Sequence, residues 1–408
     1  MRKYVWVLDM MRLKEVLILF LTLILVLVAV IVTYIKPSPP KEGNMQKDME
    51  TRKWIAMDAI QIMIKHGFNC FRLRLFVNPS PRDEWGGFTG NTLEYTINLA
   101  KRIKSSGAKL ILDLHYSDTW SDPGKQSKPR AWENLDFEDL IKTVYEYSRD
   151  VIAAMKNEGV LPDIVQPGNE ITGGMLWPDG KIYGAGDPEE QWKKFTQILK
   201  AAIQGIKDGA EDKDIKIMIH IHSGGSWETT KWFFENIERH HVEYNIIGLS
   251  YYPWWQGTLN DLRRNLNNTA LYFDKDILVV ETAYPYRPLN FQYLRDANPE
   301  YMEWPQTPEG QRQFLADLLK VVSETPNGHG LGVLWWFPES VPVNNLTVWN
   351  AGATALFDQN GRILPAIDAF KEFHERHRLQ NFLTGGDISA LAEIERLGAI
   401  FYDLEDDP

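Results

Sequence analysis

The sequence predicts an α/β protein that folds as a (β/α)8 barrel of the TIM type, preceded by one N-terminal transmembrane helix. Two patterns predict the barrel. Apolar runs of strand length alternate with helical stretches from about residue 51 to residue 372, and polar or aromatic side chains follow the strands. A charge-free apolar run near the N-terminus predicts the membrane span.

The N-terminal run from Val16 to Ile35 has twenty residues without a charge, which is long enough to cross a bilayer. A cleaved secretory signal is the alternative, but no small-residue cleavage site follows the run. More basic residues precede the run than follow it, which puts the long C-terminal part outside the cytoplasm. The protein is therefore expected to be extracytoplasmic and membrane-anchored, or secreted if the span is cleaved.

The remaining chain divides by composition. The predicted organisation is a cytoplasmic segment (1–15), an anchor or signal (16–35), a linker (36–50), a catalytic barrel (51–372) and a C-terminal extension (373–408). Seven strands are recognisable in the barrel, in the runs Asn69–Val77, Lys109–His115, Asp163–Pro167, Ile215–Ile221, Asn245–Tyr251, Ile277–Val280 and Leu331–Phe337. An open doubly wound sheet is the rival fold, but no Gly-rich phosphate loop follows any strand.

Composition excludes some classes of function. The net charge of -11 argues against nucleic-acid binding, which needs a basic surface. Cys70 is the only cysteine, so no disulfide forms within the chain, and its apolar neighbours predict a buried strand residue. Fifteen Trp and sixteen Tyr favour a carbohydrate ligand, although a large aromatic core would explain them too. No cofactor or metal is expected, and the protein is expected to be a monomer.

Two carboxylates stand out among the side chains at strand ends. Glu170 follows Asn169 after one strand, and Glu281 ends the run Ile277–Val280. Because the ends of barrel strands converge on one mouth, the two glutamates are expected to face each other. Hydrolysis of a glycosidic bond uses such a pair, one as acid and one as nucleophile or base. The alternative is that each is an ion-paired residue of the rim.

Several stretches resemble one family of enzymes, the endo-β-1,4-galactanases of glycoside hydrolase family 53, within a clan of retaining (β/α)8 glycosidases. The matching stretches include GAKLILDLHYSDTWSDPGKQSKPRAW (107–132), VQPGNEITGGMLWPDG (165–180), IIGLSYYPWWQGTL (246–259) and ILVVETAYPY (277–286). The resemblance covers roughly residues 51–372. It implies a hydrolase that cleaves β-1,4-galactosidic bonds of galactan polysaccharides or galacto-oligosaccharides.

The resemblance also implies roles for individual residues. Glu170 matches the acid/base and Glu281 the nucleophile, with the two carboxylates about 5 Å apart. Arg72 is expected to keep Glu281 ionised, Tyr251 to donate a hydrogen bond to it, and Asn169 to bind the sugar 2-OH. The other expected contacts to substrate come from His115, Asp118, Trp120, His220 and Trp336. Further candidate stacking platforms are Trp227, Trp254 and Trp255, while Arg74 is either a salt bridge or a ligand contact.

Three features depart from the family pattern. No strand is recognisable ahead of the first helix, where the family has one with an aspartate after it. The barrel then closes with seven strands, or an irregular segment fills the gap, or the missing strand is encoded upstream of Met1. The family motif Trp-Glu-Pro is replaced by Trp336-Phe337-Pro338, which removes a rim carboxylate. The residues after 372 carry a predicted helix, Ile388–Leu397, with no function assigned.

Two other functions are compatible with these residues. A β-glycanase with another sugar preference would share the fold and the acid pair. A surface carbohydrate-binding protein would have lost turnover through an incomplete barrel, but the presence of both glutamates argues against it. Some family members hold calcium in the loop after the nucleophile strand, and Asp296 and Glu300 lie in that loop, although no ligand set can be matched.

Overall fold

The computed structural model describes residues 53–80, 90–344, 346–377, 379 and 381–405. Eight parallel strands form a closed barrel, and residues Trp54–Asp403 make one compact unit. In spatial order the barrel strands are β10 (Gly330–Trp336), β11 (Leu383–Asp387), β2 (Cys70–Leu75), β3 (Lys109–Leu114), β4 (Ile164–Pro167), β7 (Lys216–Ile221), β8 (Ile246–Tyr251) and β9 (Asp276–Thr282). The predicted barrel is confirmed, and it is complete.

Helices separate the barrel strands along the chain, as parallel neighbours require. They are α1 (Ala59–Lys65), α2 (Leu93–Ser105), α3 (Phe137–Asn157), α4 (Pro188–Ala210), α5 (Trp227–Arg239), α6 (Pro253–Gln256), α7 (Leu259–Phe273), α8 (Pro308–Ser323), α9 (Asp368–His377) and α10 (Leu391–Arg396). Short polar side chains start most of the long helices. Thr92, Asp136 and Ser226, for example, each accept a hydrogen bond from a backbone N–H of the first turn.

The inside of the barrel is filled by apolar side chains from all eight strands, as this fold requires. They form one buried cluster of Cys70, Ile111, Ile164, Met218, Ile246, Leu278, Val280, Leu334 and Leu383. Cys70 is fully buried in this cluster, so the prediction that it is a core residue of a strand is confirmed. This cluster contains only apolar side chains. The polar residues of the strands lie at the opposite end of the barrel, where the strands have their carboxyl ends.

The eighth strand lies where the sequence did not predict it. β11 belongs to the predicted C-terminal extension, yet it pairs in parallel with β10 on one side and β2 on the other. The boundary at residue 372 is therefore wrong, because the barrel needs residues 383–387 to close. The expected gap in the wall and the seven-stranded alternative are wrong for the same reason.

The residues after β11 form a helix and a strand that pack outside the ring of eight barrel strands. The helix predicted at Ile388–Leu397 is present as the shorter α10, with Leu391 and Ile394 buried. The next strand, β12 (Phe401–Leu404), pairs with β1 (Trp54–Met57), which leads into α1. Two more strands, β5 (Gly174–Met175) and β6 (Gly180–Lys181), form a hairpin-like pair after β4. Residues 383–403 of the predicted C-terminal extension are thus part of the same compact unit as the barrel.

The predicted membrane span, Val16 to Ile35, lies outside the described residues, as do the predicted cytoplasmic segment and linker. Within the part of the chain that the structure describes, none of the helices combines the length and the apolar character that a membrane crossing needs.

Candidate active site

Glu170 and Glu281 lie together at the carboxyl end of the barrel. Glu281 is on β9, and Glu170 follows β4 with a left-handed backbone (φ 48°). One carboxylate oxygen of each, with a ring nitrogen of His220, lie within 4.8 Å of one another. Retaining glycosidases hold their two carboxyl groups about 5–5.5 Å apart, whereas inverting ones need a wider gap for a water. The spacing therefore fits a retaining pair.

Glu281 is held by two donors. Arg72 Nη1 donates to its Oε1 at 2.8 Å, and the Tyr252 hydroxyl donates to its Oε2 at 3.1 Å. Burial raises the pKa of Glu281 to about 7, and the positive charge of Arg72 limits that rise. The ion pair between Arg72 and Glu281 that was expected from the sequence is present.

Among the described residues, no Arg or Lys side chain forms an ion pair with Glu170. Ser250 Oγ donates to Glu170 Oε1 at 2.7 Å, so the hydroxyl is left to accept from His220 Nε2 at 2.9 Å. Burial raises the pKa of Glu170 well above its ordinary range, and the negative charge of Glu281 raises it further. Of the two carboxyl groups, Glu281 is therefore the one that ionises first, and Glu170 is the one that keeps its proton.

Arg72 is the centre of a buried polar network. Its Nη2 donates to Asp113 at 2.7 Å and to Asn169 at 2.8 Å, and its Nη1 also reaches Asp387 at 3.2 Å. The Arg72 side chain is fully buried, and its charge is paired inside the protein. It contacts Glu281 directly, so it acts on both the charge and the position of that carboxylate.

The two glutamates face an open cleft of about 1390 Å³. Its walls are rich in aromatic side chains, which stack on the apolar faces of sugars. The aromatic residues of the wall are Trp120, Tyr252, Trp255, Tyr301, Trp336, Phe337 and Trp349. A cleft of this size has room for several sugar units.

The structure divides the predicted substrate contacts into two groups. Trp120, Asn169 and Trp336 line the cleft together with the two glutamates. His115, Asp118 and His220 are buried and are not among its lining residues. Their polar atoms are bonded inside the protein, so a direct contact with substrate stays a prediction for these three residues.

Each of the three buried residues supports a neighbouring part of the site. His115 accepts from the Ser121 backbone N–H at 3.0 Å, and Asp118 accepts from the backbone N–H groups of Asn78 and Arg130. His220 bonds to Ser250 behind Glu170. Burial and the charge of Arg72 hold the pKa of His220 well below its ordinary value, so the ring is neutral.

The tyrosine that contacts Glu281 is one residue further along than predicted. Tyr251, on β8, is fully buried and donates to the Gly257 carbonyl at 3.1 Å. Tyr252, directly after the strand, contacts Glu281 instead. Successive side chains of a strand point in opposite directions. A prediction that is wrong by one residue therefore assigns to the cleft a side chain that lies in the core. The predicted hydrogen bond from Tyr251 is therefore wrong.

The other tryptophans that were expected to stack on sugars differ in their positions. Trp255 lines the cleft, whereas Trp254 is fully buried and Trp227 packs against Tyr272 and Phe273 on the outer helices. Sequence reasoning did not find Trp349, which lines the cleft and contacts the ring of Tyr252. Its position beside Asn350 and Gly352, outside the apolar runs of strand length, is the signal that the sequence offers.

Sequence reasoning also did not find Asp113, Ser250 or Asp387. All three are fully buried polar residues on barrel strands, and each bonds to Arg72 or to one of the two glutamates. An isolated charge in an apolar strand, as in Ile111-Leu-Asp-Leu114, is costly unless it is paired, which is the signal that Asp113 offered.

Phe337 stands where the family pattern has a glutamate, and it changes the chemistry of that wall. Its ring lies 4.7 Å from the Arg74 guanidinium, which also lies 4.2 Å from the ring of Trp120. A carboxylate is nevertheless close by, because Glu339 is buried near Arg74 and accepts from the Ala390 N–H. Arg74 is fully buried and paired with Asp387, so the salt-bridge reading is the one the structure supports.

Among the described residues, one group of three potential metal ligands comes together, namely Glu170, His220 and Glu281. Because His220 is already bonded to Ser250, this group is explained by the carboxylate pair. His222 is not part of it; its Nδ1 lies 2.7 Å from the Thr172 hydroxyl. Asp296 and Glu300, considered for calcium, are also outside the group.

Comparison with known proteins agrees with this geometry. The sequence model of glycosyl hydrolase family 53 matches residues 40–370. An uncharacterised protein of Niallia circulans is 41% identical over 77% of this chain and 86% of its own length. An arabinogalactan endo-β-1,4-galactanase of Thermothelomyces thermophilus is 34% identical over 76% of this chain and 89% of its own.

The same similarity is found among solved structures. The catalytic domain of a family 53 protein from Ignisphaera aggregans superimposes with a TM-score of 0.69 at 31% identity. That match covers 78% of this chain and 88% of the other. Strand β11 lies beyond the last residue matched by the family model, residue 370.

Proposed function

The chain belongs to glycosyl hydrolase family 53, and we propose that it is an endo-acting, retaining hydrolase of β-1,4-galactan. The observation that carries the proposal is the unequal pair of carboxylates. Glu281 is paired with Arg72, while Glu170, within 4.8 Å of it, has a raised pKa and no cation in contact. One group is prepared to attack, and the other is prepared to donate a proton.

In the first step, ionised Glu281 attacks the anomeric carbon of the bound sugar. The bond between that carbon and the glycosidic oxygen breaks, and Glu170 gives its proton to the leaving oxygen. The products are a glycosyl ester on Glu281 and a carboxylate at Glu170. Ser250 occupies Oε1 of Glu170, which leaves Oε2 as the oxygen that carries the proton.

In the second step, Glu170 acts as a base. Its carboxylate takes a proton from a water molecule, and the water oxygen attacks the anomeric carbon. The ester bond breaks, Glu281 leaves as a carboxylate, and Glu170 is again protonated. Two inversions at one carbon give net retention. Arg72 and Tyr252 stabilise the negative charge that returns to Glu281.

The choice of galactan as substrate rests on the relatives and on the cleft. The Thermothelomyces thermophilus relative is named an arabinogalactan endo-β-1,4-galactanase. Here the cleft is open, and its aromatic side chains extend from Trp120 and Trp336 to Trp255 and Trp349. An open cleft admits the interior of a polymer, which favours endo cleavage over removal of end units.

The test is the release of reducing ends from a panel of β-glycans by the purified chain. The expected result is release from β-1,4-galactan, with oligosaccharides of several lengths appearing early and little or no release from β-1,4-linked glucan, mannan or xylan. Release from another glycan alone would assign a different sugar preference. Binding of galactan without any release would instead support a non-hydrolytic carbohydrate-binding protein.

We also propose that the enzyme acts outside the cytoplasm, as a monomer attached to a membrane by residues 16–35 or secreted after their removal. The uncharged run Val16 to Ile35 supports this location. A polymeric substrate supports it too, because a polysaccharide is too large to cross a membrane intact. Fractionation of cells that express the full chain, followed by N-terminal sequencing of the product, tests both forms.

A further inference from the structure

Strand β11 brings a fourth carboxylate into the polar network of the active site. Asp387, its last residue, is fully buried. Asp387 Oδ2 accepts from Arg72 Nη1 at 3.2 Å, and its Oδ1 accepts from Arg74 Nη1 at 2.9 Å. Both arginines are also fully buried, so neither can satisfy its charge with water.

The contact with Arg72 is shared with the nucleophile. The same nitrogen, Arg72 Nη1, donates to Glu281 Oε1 at 2.8 Å and to Asp387 Oδ2 at 3.2 Å. One nitrogen thus lies between two carboxylates, while the other terminal nitrogen is held by Asp113 and Asn169. Any change at Asp387 alters how much of the Arg72 charge is available to Glu281.

Asp387 is itself held in one orientation. The backbone N–H of Ser389 donates to Oδ1 at 3.1 Å, and the Ser389 hydroxyl donates to it at 2.7 Å. On the other side, Asp387 fixes Arg74, whose guanidinium lies 4.2 Å from the ring of Trp120 and 4.8 Å from that of Trp336. One carboxylate therefore connects the nucleophile to the aromatic wall of the cleft.

We propose that Asp387 is a positioning residue, which shares Arg72 with Glu281 to keep the nucleophile reactive and holds Arg74 behind the aromatic wall. A carboxylate that is bound too tightly by a cation is a weaker base and a weaker nucleophile. Because Asp387 also binds Arg72, it weakens the hold of Arg72 on Glu281 and so keeps Glu281 more basic and more nucleophilic. The inference deepens the proposed hydrolase function and rests on it.

The groups around Glu281 agree with this role. The charged or titratable side chains that face it are Arg72, Asp113, His115, Glu170, His220, Tyr252 and Asp387, of which His220 is neutral and Glu170 and Tyr252 keep their protons. After burial and Arg72, the negative charges of Asp113 and Asp387 act on Glu281, and both raise its pKa. Removing the charge of Asp387 therefore lowers that pKa, and Arg72 is free to turn further toward Glu281.

The test compares Asp387→Asn with the unchanged chain in the hydrolysis of galactan across pH. In D387N we expect kcat to fall about tenfold with a smaller change in KM, because the nucleophile is less basic. We also expect the acid limb of kcat/KM to move to lower pH by about half a unit. Asp387→Glu, which keeps the charge, should leave the acid limb at its original pH.

Thr384→Val is the matched structural control. Thr384 is on the same strand but bonds to the Gly67 carbonyl and His374, away from Arg72. T384V should lower the midpoint of thermal unfolding and leave the acid limb in place. An unmoved acid limb in D387N, or an equal movement in T384V, would overturn the proposal. If D387N does not fold, Asp387→Ser, which leaves room for water, gives the same readouts.

Two further outcomes separate this inference from the proposed function. A lack of galactan hydrolysis by the unchanged chain contradicts the proposed function, not the role of Asp387. In that case a 13C NMR titration of the Glu281 carboxylate, in the unchanged chain and in D387N, tests the sharing of Arg72 without turnover. A lower pKa in D387N supports the role, and an unchanged or higher pKa contradicts it.

Discussion

The carboxyl groups of Glu170 and Glu281 differ because of their immediate neighbours. Glu281 has a cation and a hydroxyl donor, whereas Glu170 has one serine hydroxyl and a nearby negative charge. The proposed mechanism needs Glu281 ionised and Glu170 protonated. We therefore expect activity to decline at low pH as Glu281 gains a proton and at high pH as Glu170 loses one, which gives a bell-shaped profile of kcat/KM against pH.

Adjacent tyrosines provide the sharpest test at the residue scale. Tyr252→Phe removes the hydroxyl that donates to Glu281, so we expect kcat to fall by about tenfold or more, with little change in folding. Tyr251→Phe removes a hydroxyl bonded to the Gly257 carbonyl and should leave kcat within about twofold. Steady-state kinetics on galactan measure both. A larger loss of kcat in Y251F than in Y252F would contradict the assignment.

At the scale of single residues, the sequence predicts which side chains form the candidate site better than it predicts the hydrogen bonds that each of them makes. Glu170, Glu281 and Arg72 stand out in the sequence at the ends of buried strands, and the structure brings the three side chains together. The hydrogen bond predicted for Tyr251 is made by Tyr252, because the exact end of a strand decides which side chain faces the cleft. For His115, Asp118 and His220, the types of residue in a sequence do not distinguish a contact with ligand from a supporting contact inside the protein.

At the scale of elements, strand β11 shows why one part of the barrel was not predicted. Its residues, Leu383-Thr-Gly-Gly-Asp387, contain a single large apolar side chain and two glycines, which are rare in strands. A Cβ at Gly385 would lie 1.7 Å from the Cys70 carbonyl oxygen, so the close approach of β2 requires glycine. β11 is thus a strand because it pairs with β10 and β2, and its own sequence does not indicate it. The other seven barrel strands are recognisable in the sequence as apolar runs.

A charged cluster fastens the C-terminal elements to the first helix. His66, the C-cap of α1, bonds to Asp368 at 2.6 Å and to Asp403 at 2.9 Å. Burial lowers the pKa of His66, but the two aspartates raise it overall, to about 9. The elements that it joins are α1, α9 and β12, which come from opposite ends of the barrel sequence.

The cluster predicts a pH-dependent contribution to stability. Because the folded pKa of about 9 is above the unfolded value of 6.5, the contribution is complete below pH 6.5 and is lost as pH rises through 9. Asp368 is partly exposed, so we expect about 1–3 kcal/mol. Unfolding by urea should show His66→Gln less stable than the unchanged chain at pH 6.

The difference between H66Q and the unchanged chain should shrink at pH 9.5, where His66 is largely neutral in both states. The exposed His377, on α9, provides the control, and His377→Gln should change stability little at either pH. A difference between H66Q and the unchanged chain that is the same at pH 6 and pH 9.5 would rule out an ionic origin.

At the scale of the whole molecule, the fold explains why the site forms where it does. One end of the barrel is filled by apolar side chains from all eight strands, and the charged strand residues meet at the other end. The barrel, its helices and the location of the site were predictable from periodicity. The closure of the barrel was not predictable in this way, because the eighth strand follows the last predicted strand along the chain.

The central claim is that Glu281 forms a covalent bond with the sugar during turnover. The direct measurement is the intact mass of the chain after incubation with a 2-fluoro-galactosyl fluoride, followed by peptide mapping. The expected result is one added fluorogalactosyl group, located on Glu281 and absent from Glu281→Gln. A chain that hydrolyses galactan but carries no label, or carries the label on another residue, would contradict the claim.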